Sequence, residues 1–175
     1  VPASDRGVEP VAEREVVFTR VFNAPARLLF AAYSTPEHLT RWFGPPGWTL
    51  TQCEMDFRAG GQLRLAMTGG DGAEGSPFSG EYLEIVPDQK IVYSGAFETP
   101  GAEAMTVTIT FDEDEQHGQT TLTIHTLFAS VAMKNEHLGQ GYARSWARIF
   151  DQLADHVVEM RAGSRPIARG RHPGP

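Results

Sequence analysis

An enzyme needs an acid, a base or a nucleophile held where a substrate can reach it, and this chain offers few candidates. The single cysteine, Cys53, alternates with Met55 and Phe57 on one strand face. There a thiol is a small core residue with a raised pKa rather than a nucleophile. Among the carboxylates, Glu54 and Asp56 share one strand face, while Glu81 is in phase with Leu83 and Ile85. Glu81 is therefore the acid expected to look inward, and it is the one catalytic candidate. A buried Glu has a raised pKa and can serve as general acid or base in a cyclase-like or hydrolase-like reaction. The histidines are scattered: His38, His137 and His156 on predicted helices, His125 on the wet face of a strand, His117 in a turn and His172 in the C-terminal tail. Each reads as a surface or capping residue. GDGAEG, residues 70–75, fits the G-x-G-x-x-G pattern, but a strand follows the loop where dinucleotide binding needs a helix. No H-E-x-x-H, G-x-S-x-G, P-loop or paired metal-ligand spacing occurs, so neither a metal nor a cofactor is expected.

What remains is a set of large apolar side chains suited to holding a molecule rather than transforming it. Predicted strands contribute Met55, Phe57, Leu65, Met67, Tyr93, Phe97, Met105 and Val107, and a predicted helix adds Tyr142, Trp146, Ile149 and Phe150. Methionine conforms to varied shapes, and Tyr or Trp carries a polar tip on an apolar wall. Trp42 and Trp48 belong to TRWFGPPGWTL, residues 40–50, whose Pro and Gly make a sharp helix-to-strand corner and whose aromatics exceed what a corner needs. Either could gate a ligand. Periodicity alone does not separate a lined cavity from a filled core.

The elements that must position these residues follow from the hydrophobic period. EVVFTRVF, residues 15–22, is a strand that ends at Asn23-Ala24-Pro25. ARLLFAAYS then has helical spacing, and Ser34-Thr35-Pro36-Glu37 starts a second short helix. A period of two follows over 49–57, 61–68, 78–86, 90–97, 105–112 and 120–128, with turn-forming clusters between them that imply antiparallel hairpins. From about Val131 or Asn135 to Met160 the chain reads as one long helix. Tyr142, Trp146, Ile149, Phe150, Leu153, Val157 and Met160 share its apolar face, with Arg144, Arg148, Gln152, Asp155 and Glu159 facing away. This order predicts an α+β fold, a curved antiparallel sheet of six to seven strands wrapped on a long C-terminal helix, with two short helices after the first strand. The domain spans 15–160, between a flexible segment at 1–14 and a basic, disordered tail at 161–175 that carries four Arg and no acid.

Composition narrows the function classes. The chain has 175 residues and a net charge of −7, which disfavours nucleic acid and anionic membranes as general partners. No apolar run approaches the roughly 18 residues of a membrane span. The N-terminal residues lack a signal-peptide pattern, so a cytoplasmic location is expected, and one cysteine agrees with a reducing compartment.

The segments VFNAPARLLFAAYSTPEHLTRWFGPPGWT, CEMDFRAGGQLRLAM, SGEYLEIVPDQKIVYSG and SWARIFDQLADHV, in that order, resemble successive motifs of the domain related to activators of the heat-shock protein ninety ATPase. That family lies in the START-like, or SRPBCC, superfamily, whose helix-grip fold is shared with the birch-pollen allergen. The resemblance implies a cavity between sheet and long helix that receives a lipid, sterol, polyketide or other apolar molecule. One departure is Ser145, where the family usually has Gly before the helix tryptophan. The expectation is a non-enzymatic domain binding a small hydrophobic ligand. Its alternatives are a stress-related co-chaperone acting on a heat-shock ATPase, and a cyclase-like or hydrolase-like enzyme using the same cavity. Domains of this kind and size often pair, so a homodimer is a further expectation.

Overall fold

The computed structural model describes residues 9–163. After a 3-10 turn at Val11–Glu13, strand β1 (Glu15–Phe22) leads into helices α1 (Ala26–Ser34) and α2 (Pro36–Trp42). Strands β2 (Trp48–Met55), β3 (Gln62–Gly69), β4 (Phe78–Val86), β5 (Lys90–Phe97), β6 (Met105–Asp114) and β7 (Gln119–Leu127) follow. Helices α3 (Val131–Gly139) and α4 (Tyr142–Gly163) complete the described chain. All strand pairs are antiparallel, in the order β1-β7-β6-β5-β4-β3-β2, so the sheet runs by hairpins from β2 to β7 and takes β1 onto its far side. The sheet curls into a half-barrel, with α4 packed on α1, α2 and β1.

Local chemistry explains the elements. β6 and β7 alternate strictly: Met105, Val107, Ile109 and Phe111 are buried, as are Leu122 and Ile124, while the intervening threonines face out. α2 begins where Thr35 accepts a hydrogen bond from the His38 N–H (3.3 Å), with Pro36 in the first turn; α3 begins where Ser130 accepts from the Met133 N–H (3.0 Å).

Two sequence expectations require correction. The C-terminal helix is not continuous: Gly141 takes φ +80, a left-handed conformation that ends α3 and lets α4 start in a new direction. α4 also continues to Gly163, three residues into the segment read as tail; the remainder of that tail, residues 164–175, and residues 1–8 of the N-terminal segment lie outside the described residues. The second correction concerns Glu81, which is exposed, while Tyr82 is buried. A register shift between Tyr82 and Glu84 adds one residue to β4. Tyr82 and Ile85 thus both face the helix side, opposite Tyr93 and Ile91, and Leu83 turns out at 49% exposure. Glu81 is in phase with Leu83, and both look to solvent.

Candidate functional site

Between β3–β6 and the first half of α4 lies a chamber of about 220 Å³. Its sheet walls are Leu65 and Met67 from β3, Phe78 from β4, Tyr93 and Phe97 from β5, and Met105 and Val107 from β6. α4 supplies Tyr142, Ser145, Trp146 and Ile149, and α3 supplies His137. The lining contains no Asp, Glu, Lys or Arg; its polar contributions come from Ser76, Ser145, His137 and the tyrosines. The departure at Ser145 thus places a hydroxyl-bearing side chain in the wall.

The strand residues reach the chamber because they share one face of the pleat, two residues apart. Phe78 lies over Gly95, diagonally across on β5: a Cβ there would sit 2.5 Å from the Ser79 carbonyl oxygen and 2.7 Å from the Phe78 ring, so only glycine leaves room for that wall. Tyr142 is held by a hydrogen bond between its hydroxyl and that of Thr126 on β7 (2.8 Å). Burial raises the Tyr142 pKa, and the Thr126 bond opposes the shift. Burial also pushes the Tyr93 and Tyr82 phenols well above the ordinary tyrosine value, with smaller contributions from neighbouring phenols. All three remain neutral hydroxyls at physiological pH.

On one side the chamber borders a larger, more polar groove of about 600 Å³ between the β5–β6 turn, residues 99–103, and α3. Groove and chamber share Ser76, Phe97 and His137. The Phe97 and His137 rings stack there at 6.4 Å and 27°, and His137 Nδ1 donates to the Met133 carbonyl (2.9 Å). By sequence His137 is an ordinary helix residue. Its aromatic neighbours in space, Phe97 on β5, Phe128 just before α3 and Tyr142 beyond the Gly141 break, do not stand at helical spacing from it and leave no periodic signal.

The chamber leaves out five of the residues singled out in the sequence. Trp42 is buried, and its indole N–H donates to the Ala32 carbonyl (3.0 Å) while its ring meets Tyr33 edge-on at 4.8 Å; it locks α2 to α1. Trp48 is 39% exposed, with its ring against Gly69 and Gly75. The same corner instead sends Phe43, Gly44 and Pro45 into the wall. Gly44 has φ +123, and a Cβ there would press on Met67 Sδ and the Trp48 carbonyl, both at 3.2 Å. Phe150 is fully buried between Phe18, Phe22 and Trp146. Phe57 packs on Phe30 and Tyr82, and Met55 is half-buried against the core. Cys53 is half-buried as well; desolvation, with a smaller effect from Glu37, pushes its thiol up to about 11.

Two polar features of α4 depart from the sequence pattern. Gln152, expected to face away, donates its amide N–H groups to the carbonyls of Trp42 (2.9 Å) and Gly44 (2.7 Å), which bolts the corner to the helix. His156 is buried and shares a hydrogen bond with His38 (Nε2 to Nδ1, 3.0 Å). Desolvation first, then His38, lowers its pKa; the Glu159 carboxylate, 3.8 Å from Nδ1, opposes this. Among the described residues no cluster of three or more His, Cys, Asp or Glu could hold a metal, and no helix is long and apolar enough to cross a membrane.

A half-barrel closed on a C-terminal helix, with an uncharged chamber between them, is what the sequence resemblance implies. The family model for Activator of Hsp90 ATPase homolog 1-like protein matches residues 23–158. The chain belongs to this family. Solved structures similar to this member of the Hsp90-activator-like family include a protein from Nitrosomonas europaea, at 23% identity and TM-score 0.76, covering 86% of this chain and 98% of that one. A protein from Chromobacterium violaceum is 27% identical with TM-score 0.66, covering 82% and 96%. One from Rhodobacter sphaeroides is 22% identical with TM-score 0.76, covering 91% and 100%. No curated protein matches the chain. The family and its START-like, helix-grip fold are thus established.

Proposed function

We propose that this Hsp90-activator-like domain is a non-enzymatic binding module that holds a small, largely apolar molecule between β3–β6 and the first half of α4. The observation that carries the reading is the chamber itself, about 220 Å³ with no charged wall residue. An apolar cavity of roughly 150 Å³ suffices for benzene, so this one suits a molecule of one or two rings. The polar groove beyond Phe97 and His137 gives such a molecule a route from solvent.

A calorimetric titration with 2-methylnaphthalene, a two-ring molecule, tests this. The expected result is saturable binding to the wild type and its loss in Val107→Phe, with the fold preserved by circular dichroism. Non-saturable binding, or equal binding by the filled variant, would reject the chamber as the site. The enzymatic reading loses its best acid, because Glu81 faces solvent. A co-chaperone reading has the family's description in its favour; a change in turnover of a cognate Hsp90 ATPase on adding this protein would support it.

A further inference from the structure

Next to the main chamber is a much smaller one, about 20 Å³, on the side of α1 and α2. The two share the walls Phe43, Leu65 and Tyr93, and the small one adds Tyr33 and Tyr82. A space of this size accommodates one water or one oxygen-bearing group and little else.

Tyr33 is unusual among these walls. Its hydroxyl oxygen is buried and has no hydrogen-bond partner. The ring cannot swing away, since Trp42 meets it edge-on at 4.8 Å and Phe111 at 5.9 Å. Burial, with a smaller contribution from Tyr93, holds its pKa well above the ordinary tyrosine value, so the group is always an O–H donor. A phenylalanine here would fill the same aromatic cluster without an unpaired donor, so the hydroxyl costs the empty protein stability. An acceptor that comes within hydrogen-bond distance of the hydroxyl from the small chamber, whose wall Tyr33 forms in part, removes that cost. A wholly apolar occupant leaves it in place.

We propose that the small chamber is an oxygen subsite of the main one, and that the ligand is a compact, mostly apolar molecule ending in a hydroxyl or carbonyl oxygen that accepts a hydrogen bond from Tyr33. This deepens the binding reading above and rests on it. The remainder of the molecule occupies the main chamber, against Met67 and Trp146. Only an occupant that reaches past the three shared walls meets Tyr33.

The test compares two probes of nearly equal shape, 2-naphthol and 2-methylnaphthalene, on wild type and Tyr33→Phe, by titration calorimetry. In the wild type 2-naphthol gains the Tyr33 bond, so the ratio of the two affinities should fall about tenfold in Tyr33→Phe, the size of one good buried hydrogen bond. The empty variant should also melt higher by about 2–4 °C, because it has shed an unpaired donor. If both probes bind and the ratio is the same in the two proteins, the subsite is refuted while the binding module stands. If neither binds, both fall. A lower melting temperature in Tyr33→Phe with an unchanged ratio would mean that a permanent water satisfies the hydroxyl, which also overturns the proposal.

Discussion

Along α4, Phe150, Leu153 and Val157 are sealed within the core, whereas up to three turns earlier Tyr142, Ser145 and Trp146 stay half-buried over a space of about 220 Å³. Both stretches carry large apolar residues at helical spacing. The difference lies in what stands opposite. The later stretch meets Phe18 and Phe22 of β1 and the packed faces of α1 and α2, so rings interlock. The earlier stretch faces Met67, Met105 and Val107 together with Phe78, Tyr93 and Phe97, across the chamber and just after the helix has been cut at Gly141. A solid core and a chamber can therefore be made from one amphipathic helix, and the partner strands decide which.

Truncation should separate the two regions most sharply. Leu153→Ala leaves a void in packed surroundings and should cost about 2–5 kcal/mol in urea unfolding. Trp146→Ala enlarges a space that already exists, and should cost only about 1–2 kcal/mol despite removing more atoms, because the ring is only partly buried. Equal or inverted losses would show that the earlier stretch is packed as tightly as the later one.

Gln152 sits where the regions meet and tests whether the corner is held by its two hydrogen bonds. Gln152→Leu deprives the Trp42 and Gly44 carbonyls of their side-chain donor, and should cost about 1–3 kcal/mol by the same measurement. It should also loosen the chamber wall at Phe43 to Pro45, read as weaker binding of 2-methylnaphthalene. A loss of stability with unaltered probe affinity would disconnect the corner from the chamber.

The smallest effect is expected from His156, on the solid side. Its folded pKa lies below the ordinary 6.5, so below that value the unfolded chain takes up a proton that the folded protein resists. The stabilisation is complete above 6.5 and is lost as pH falls through the lowered folded value. His38 and Arg41 oppose the charge and Glu159 favours it. The drop in melting temperature between about pH 7.5 and about pH 5.5 should be smaller in His156→Gln than in the wild type. An identical drop would assign the acid sensitivity to other groups.

Most of the architecture was legible because strands with one wet face advertise it: in β6 and β7 the buried Met105, Val107, Ile109, Phe111, Leu122 and Ile124 alternate with half-buried threonines, as the pattern requires. Where the structure departs from the pattern, one residue is responsible each time. The extra residue in β4 inverts the phase beyond Tyr82, which is why Glu81 read as inward beside Ile85. Gly141 was visible as a weak helix former, but a left-handed turn and a tolerated helical glycine look alike in sequence. Nine of the residues picked for a cavity, from Leu65 to Ile149, do border the chamber, since sharing a face was enough to group them. Trp42, Trp48, Met55, Phe57 and Phe150 share similar chemistry and lie elsewhere, and His137 lies there without any local sign. Composition marks an apolar surface; only the fold says whether another side chain already covers it.

The placing of β1 and β2 at opposite edges has a consequence for the order in which the molecule can be made. Of the seven described strands β1 is the first to leave the ribosome, yet its partner is β7, with Glu15 opposite Leu127. During synthesis the hairpins from β2 through β6 can form as they emerge, while β1 and the α1–α2 pair wait for more than half the polypeptide. The strand that completes the solid side is thus made before the other six and seated among the last, and any product ending before β7 would leave both β1 and β6 without the partner that β7 supplies.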